Sequence, residues 1–170
     1  MICLNIEGYR RNVYYLNSLV RKYQPIFIFI QEHWLPHYQA EKKLSDDFPL
    51  YSFSTSSSDM FLNAEEKMID SGAAWHGTAI GWLKNVNAEA FKIPIVDDRF
   101  CGIRYCEGGI EIVAFSVYMP TSGNDDYYLE VLDKLTVTLR ENINPTTIIL
   151  LGLDTNQSSK STRRRTDGMT

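Results

Sequence analysis

The chain has 170 residues, 44% of them hydrophobic and 22% charged, with 17 basic against 21 acidic side chains and a formal charge of −4. A chain of this length can bury about two-thirds of its unfolded surface, which predicts one domain with a real core and excludes a disordered tail. The acidic balance also excludes histones, basic arms and polybasic membrane anchors, all of which work through bulk positive charge, while leaving room for a local basic groove.

In chain order, Ile2 to Ile6 reads as a strand followed by a turn at Gly8. Val13, Leu16, Leu19, Val20 and Tyr23 then recur at three-to-four spacing, which predicts an amphipathic helix closed by Pro25. Ile26 through Ile30 is continuously apolar, β-branched or aromatic, and suits a strand covered on both faces. Strand, helix and buried strand make a βαβ unit with its two strands parallel. Residues 36–47 read as a short charged stretch, helical or irregular, and Leu50 to Phe53 as a short strand. Ser54 to Ser58 reads as a flexible loop by composition, opening an excursion from the core over 54–76.

Strands are predicted over 78–83, 91–96, 100–105 and 110–118, with Gly108-Gly109 as the hairpin turn between the last two. Leu129, Leu132, Leu135 and Leu139 mark a second amphipathic helix over 125–142, and Thr147 to Leu151 a final strand. βαβ units flanking antiparallel hairpins predict two packed sheets with helices outside. From Ser158 to Arg165 there is no apolar residue, so the domain is expected over 1–157 and a basic tail, or the start of a missing part, over 158–170.

The three cysteines, at 3, 101 and 106, have no C-x-x-C spacing. Cys101 and Cys106, five apart, would face opposite sides of one strand, so the expectation is small buried hydrophobes in a reducing compartment. The longest apolar run is too short to span a membrane, and Met1 leads into Ile2-Cys3-Leu4 with no basic start. A soluble intracellular protein, nuclear or cytoplasmic and not secreted, is expected.

Polar residues stand where apolar strands end: Asn5 in the first, Glu32 after the second, Tyr118 at the end of the strand from 110, and Asp154 with Asn156 after the last. Parallel strands joined by helices place their C-terminal ends on one rim, where ligand sites of α/β sheets collect. Two carboxylates, two amides and a phenol on one rim make a hard, oxygen-rich site suited to Mg²⁺. Each residue alone also reads as an ordinary turn or cap, and Asp-x-Asn is a common turn signal.

Taken in order, Asn5-Ile6-Glu7-Gly8 with Asn12, Gln31-Glu32-His33-Trp34-Leu35, Val117-Tyr118-Met119-Pro120 and Asp154-Thr155-Asn156 resemble the endonuclease/exonuclease/phosphatase superfamily. The nearest branch is the endonuclease domain of LINE-type (non-LTR) retrotransposons. The resemblance implies a four-layer α-β-β-α sandwich of two mixed sheets with outer helices, C-terminally incomplete. It implies Mg²⁺-dependent hydrolysis of phosphodiester bonds, with Mn²⁺ as an alternative ion, and DNA as the nicked partner. The rest of a retroelement polyprotein would be a second partner, and no membrane is involved. By carry-over, Glu32 would bind the metal with Asn5 close to it. Asp154 would orient or deprotonate the attacking water, and Asn156 and Tyr118 would contact the phosphate. Lys160, Arg163, Arg164 and Arg165 form a basic tail that could hold a nucleic-acid backbone, or serve as a solvated linker.

The sequence departs from the family at two points. Leu153 stands where the family has the glycine of Gly-Asp-x-Asn, with Gly152 one place early. The chain also ends before the family's Asp-His pair, so an incomplete and inactive domain is one expectation. His33, His37 and His76 are the only histidines, and none is expected to replace the missing base; Pro36 breaks the helical spacing of the first two, and His76 falls in the excursion. A phosphatase or RNA-processing enzyme of the same superfamily, and a non-catalytic remnant or partner-binding fragment, remain the alternatives.

Overall fold

All five residues of Phe27–Gln31 are buried, because this strand lies inside a sheet with a layer on each face. The computed structural model describes residues 1–57, 76–95, 97–121 and 125–156. The first sheet contains β1 (Ile2–Asn5), β2 (Phe27–Gln31), β3 (Tyr51–Ser56) and β4 (Thr78–Leu83), in the order β1-β2-β4-β3. The second contains β5 (Ala88–Ile93), β6 (Phe100–Glu107), β7 (Ile110–Tyr118) and β8 (Ile148–Asp154), in sequential order. Helices α1 (Tyr9–Tyr23), α2 (His37–Asp47) and α3 (Asp125–Asn142) connect them.

Both sheets are mixed. β1 pairs with β2 and β7 with β8 in parallel, as βαβ connections through α1 and α3 require, and the other pairs are antiparallel. Leu16 and Val20 of α1 and Ala40 and Leu44 of α2 pack on the outer face of the first sheet against Ile28, Ile30 and Phe53. Val131 and Leu135 of α3 cover the outer face of the second against Val113, Phe115 and Val117. Between the sheets lie Phe27, Phe29, Ile80, Cys101, Ile103, Tyr105 and Ala114. The result is the expected four-layer α-β-β-α sandwich. Cys101 is in its middle, where burial pushes the thiol up to about 12; Cys106 is only half-buried and Cys3 is exposed, so the expected burial holds for Cys101 alone.

Two features bind the sheets at the end of β2. The buried Gln31 amide donates to Ser116 Oγ at 3.0 Å and to the Gly152 carbonyl at 3.1 Å, and Ser116 Oγ donates to the Ile30 carbonyl at 3.0 Å. A Cβ on Gly152 would lie 2.3 Å from Phe29, so the glycine one place early is the residue that lets β8 approach β2.

Several boundaries differ from the expected ones, most by one or two residues. Residues 36–47 form a regular helix beginning at His37, with Pro36 at its N-cap, where a missing N–H costs nothing. β3 continues through Ser54 to Ser56, where a loop was expected. These serines are buried, and their polar atoms are matched by Ser56 Oγ donating to the Asp97 carbonyl and Ser57 Oγ to the Leu35 carbonyl. β5 spans 88–93 and not 91–96. As an edge strand it needs only Ala88 and Ala90 inward, leaves Phe91 exposed, and stops before Pro94. β8 runs on to Asp154, past the expected end at Leu151. Among the described residues no helix is long and apolar enough to cross a membrane.

Candidate active site

The parallel pairs β1/β2 and β7/β8 fix which residues meet at their C-terminal ends. Asn5 is in register with Gln31, and Tyr118 with Asp154. Asn5, Glu32, Tyr118 and Asp154 therefore stand on one rim, two from each sheet.

Asn5 joins the two sheets there. Its Nδ2 donates to Glu32 Oε1 at 2.8 Å and to Asp154 Oδ2 at 2.7 Å, while its Oδ1 accepts the Glu7 N–H at 3.0 Å. The amide nitrogen thus faces both carboxylates, so Asn5 holds them in place. Glu32 has φ 55, a left-handed conformation that a non-glycine residue adopts only when its surroundings impose it. The Glu32 carbonyl accepts the Gly8 N–H at 2.8 Å. Gly8 itself has φ 96, and a Cβ there would lie 2.7 Å from Trp34, so this N-cap of α1 has room only for glycine. Asn12, one turn into α1, donates to the Ile6 carbonyl at 2.7 Å and fixes the β1–α1 bend.

Across the rim, Asp154 Oδ1 accepts the Asn156 N–H at 3.1 Å. Asn156, with φ 50, sends its Nδ2 to the Met119 carbonyl at 2.6 Å, and the Met119 N–H bonds the Asp154 carbonyl at 2.9 Å. Asn156 lies beside the Tyr118 phenol. That phenol is raised above its ordinary pKa, first by burial and then by the neighbouring Glu32 carboxylate, with Asn156 and Arg99 opposing.

Neither Glu32 nor Asp154 has an ion pair among the described residues. Two uncompensated carboxylates tied to one amide form an oxygen donor set that fits a hard divalent cation, which takes one or two carboxylates and completes its shell with water and substrate oxygens. No group of three or more His, Cys, Asp or Glu that could hold a metal occurs among the described residues.

Two further residues reach the site. His76, expected to lie outside it, stacks on Tyr118 with ring centroids 5.5 Å apart and an interplanar angle of 34°. The antiparallel pairing of β2 with β4 continues past the strands, His33 N–H to Gly77 O and Trp34 N–H to His76 O, and brings His76 beside Glu32. Burial lowers the His76 pKa, Arg99 adds to this, and Asp98 and Glu32 oppose it. The Arg99 guanidinium carbon lies 5.1 Å from the Tyr118 ring centroid and 5.4 Å from that of Tyr127. A hairpin register centred on Gly108-Gly109 pairs Phe100 with Val117 and so sets Arg99 opposite Tyr118, a signal that the sequence carries.

His33 is a structural residue. It is fully buried, Nε2 donates to the Ser56 carbonyl at 3.2 Å, and Nδ1 accepts the Leu35 N–H at 3.0 Å. Burial pushes its pKa down to about 4, so it is neutral at pH 7. Lys160, Arg163, Arg164 and Arg165 lie outside the described residues.

No family model and no curated protein matches the chain by sequence. Solved structures do match by shape. An AP endonuclease from Archaeoglobus fulgidus aligns with TM-score 0.55 and 19% identity, over 84% of this chain and 52% of that one. The 3′ phosphatase NExo from Neisseria, bound to a product DNA hairpin, aligns with TM-score 0.56 and 14% identity, over 86% and 54%. The endonuclease domain of TRAS1, a telomere-specific non-LTR retrotransposon, aligns with TM-score 0.56 and 13% identity, over 89% and 57%. The chain thus spans little more than half the length of these structures. Its two mixed four-stranded sheets between outer helices are the endonuclease/exonuclease/phosphatase fold.

Proposed function

We propose that this chain carries the centre of a divalent-cation-dependent phosphodiesterase acting on DNA, of the nicking type found in LINE-type retroelements. The observation that carries the reading is the single amide of Asn5 holding Glu32 and Asp154 at 2.8 and 2.7 Å on the shared rim of two sheets. Glu32 would hold the cation, Mg²⁺ or Mn²⁺, with Asp154 beside it. Such an ion supplies Lewis-acid polarisation of a phosphoryl oxygen and neutralises charge on the leaving oxygen.

The remaining work belongs to the side chains. Asp154 has one lone pair of each carboxylate oxygen committed to Asn5 or Asn156, and the others are open to orient and deprotonate an attacking water. Attack by that water forms one P–O bond as the ester P–O bond opposite it breaks. The Tyr118 hydroxyl, kept protonated by its raised pKa, donates to a phosphoryl oxygen as negative charge builds there. Asn156, beside that hydroxyl and bonded to Met119, fixes the phenol's position. The fold neighbours include two endonucleases and a phosphatase bound to a DNA hairpin, which favours nucleic acid as the substrate.

A labelled DNA duplex incubated with the chain and Mg²⁺ tests the reading. Internal strand cleavage that falls by about 10²-fold or more in Asp154→Asn is expected. Release of a terminal phosphate without internal cleavage would turn the reading to the phosphatase alternative. No Mg²⁺-dependent product from the folded chain would leave the non-catalytic one.

A further inference from the structure

Among the described residues, Arg99 is a cation without an anion. Its guanidinium lies over Tyr118 and Tyr127, its Nε is buried with no hydrogen-bond partner, and it forms no ion pair or side-chain hydrogen bond among the described residues. Of the two acids that precede it, Asp98 forms no ion pair with it among the described residues, and Asp97 is already committed. Asp97 Oδ1 accepts the Arg99 backbone N–H at 2.8 Å, and Asp97 Oδ2 is 3.3 Å from Lys134 Nζ. A half-buried guanidinium left unsatisfied is costly, and its planar fork of donors matches the paired oxygens of a phosphate as it does those of a carboxylate. Its place is equally well fixed: the Arg99 carbonyl accepts the Tyr118 N–H at 2.8 Å, and two aromatic rings hold the head group.

Arg99 contacts the face of the Tyr118 ring, while Glu32 and Asn156 lie toward its hydroxyl. The guanidinium therefore lies over the ring, away from the hydroxyl end where Glu32 is. We propose that Arg99, clamped between Tyr118 and Tyr127, binds the substrate phosphate that neighbours the reacting one. The inference rests on the phosphodiesterase reading for what reacts at Glu32, and adds that the substrate carries at least two linked phosphates. A nucleic-acid strand supplies them, and so would a multiply phosphorylated small molecule.

The test is equilibrium binding of a fluorescent DNA duplex to the wild-type chain and to Arg99→Gln, in EDTA so that nothing is hydrolysed, over a range of salt. Arg99→Gln is expected to bind about tenfold more weakly and to lose about one unit of slope in log K against log salt, the mark of one lost phosphate contact. In the wild-type chain the duplex should also protect Arg99 from phenylglyoxal, read by peptide mass, which needs no variant to fold. Arg99-dependent binding of inositol hexakisphosphate without binding of the duplex would support the site and assign it the small-molecule source. An unchanged slope with Arg99 unprotected by either ligand would overturn it. Arg99-dependent binding in a chain that never cleaves DNA would leave this site standing and remove the phosphodiesterase reading. Cleavage with unchanged Arg99→Gln binding would do the reverse.

Discussion

Asn5 and Asp154, separated by 149 positions in the sequence and lying in different sheets, are joined by a 2.7 Å hydrogen bond. The same Asn5 nitrogen reaches Glu32, so the relative position of the two carboxylates depends on one side chain at the end of β1. Removing it leaves like charges without their common donor.

Asn5→Ala is accordingly expected to weaken divalent-cation binding by about 10–100-fold, the usual effect of losing a group that orients carboxylate ligands. The Mg²⁺-dependent rise in melting temperature should shrink while the melting temperature in EDTA changes little. An undiminished Mg²⁺ shift would mean that the carboxylates hold their geometry without Asn5.

Gln31 and Gly152 bind the sheets just beneath the site. Gln31→Leu removes the donor to Ser116 and to the Gly152 carbonyl in a buried place, which is expected to cost about 2–3 kcal/mol. Gly152→Ala drives a methyl into Phe29 and is expected to cost about 1–3 kcal/mol. Urea unfolding with an unchanged slope and a lowered midpoint would report both.

His33 makes stability depend on pH. Its folded-state pKa is depressed from 6.5 to about 4, so between these values the unfolded chain binds a proton that the folded chain refuses. Stability is full above about pH 6.5 and falls on acidification until about pH 4, which is worth about 2 kcal/mol between pH 7 and pH 5. Unfolding free energies measured in EDTA should show this slope, and His33→Gln should flatten it.

Tyr118→Phe removes a donor from the proposed phosphate position and is expected to lower kcat about 10²-fold with the fold intact. Because burial and the Glu32 carboxylate raise the phenol's pKa above its ordinary value, the hydroxyl remains a donor throughout pH 7–9. Ionisation of Tyr118 should therefore produce no alkaline fall in that range, and a rate profile over it checks the point.

Much of this arrangement is legible in the chain. The apolar run at 26–30 could be stable only between two layers, and the two βαβ units required Asn5, Glu32, Tyr118 and Asp154 to share strand ends. What escaped composition was polar burial. Ser54 and Ser56 look like loop residues until the carbonyl that takes up the Ser56 hydroxyl is known to come from Asp97. Phe91 looks like core until β5 proves to be an edge. His76 could not be placed from its neighbours, since it reaches Tyr118 through pairing that continues beyond β2 and β4. Arg99 was within reach of the hairpin register, but reading it required treating a turn of two glycines as a ruler.

Relaxation of supercoiled plasmid by the chain, with Mg²⁺ and with EDTA, beside Glu32→Ala, tests the central claim most directly. Open circles are expected with Mg²⁺ only, and their loss in the variant while its melting temperature in EDTA stays close to that of the parent. Nicking that persists in Glu32→Ala, or that proceeds in EDTA, would contradict a cation-dependent centre at this rim.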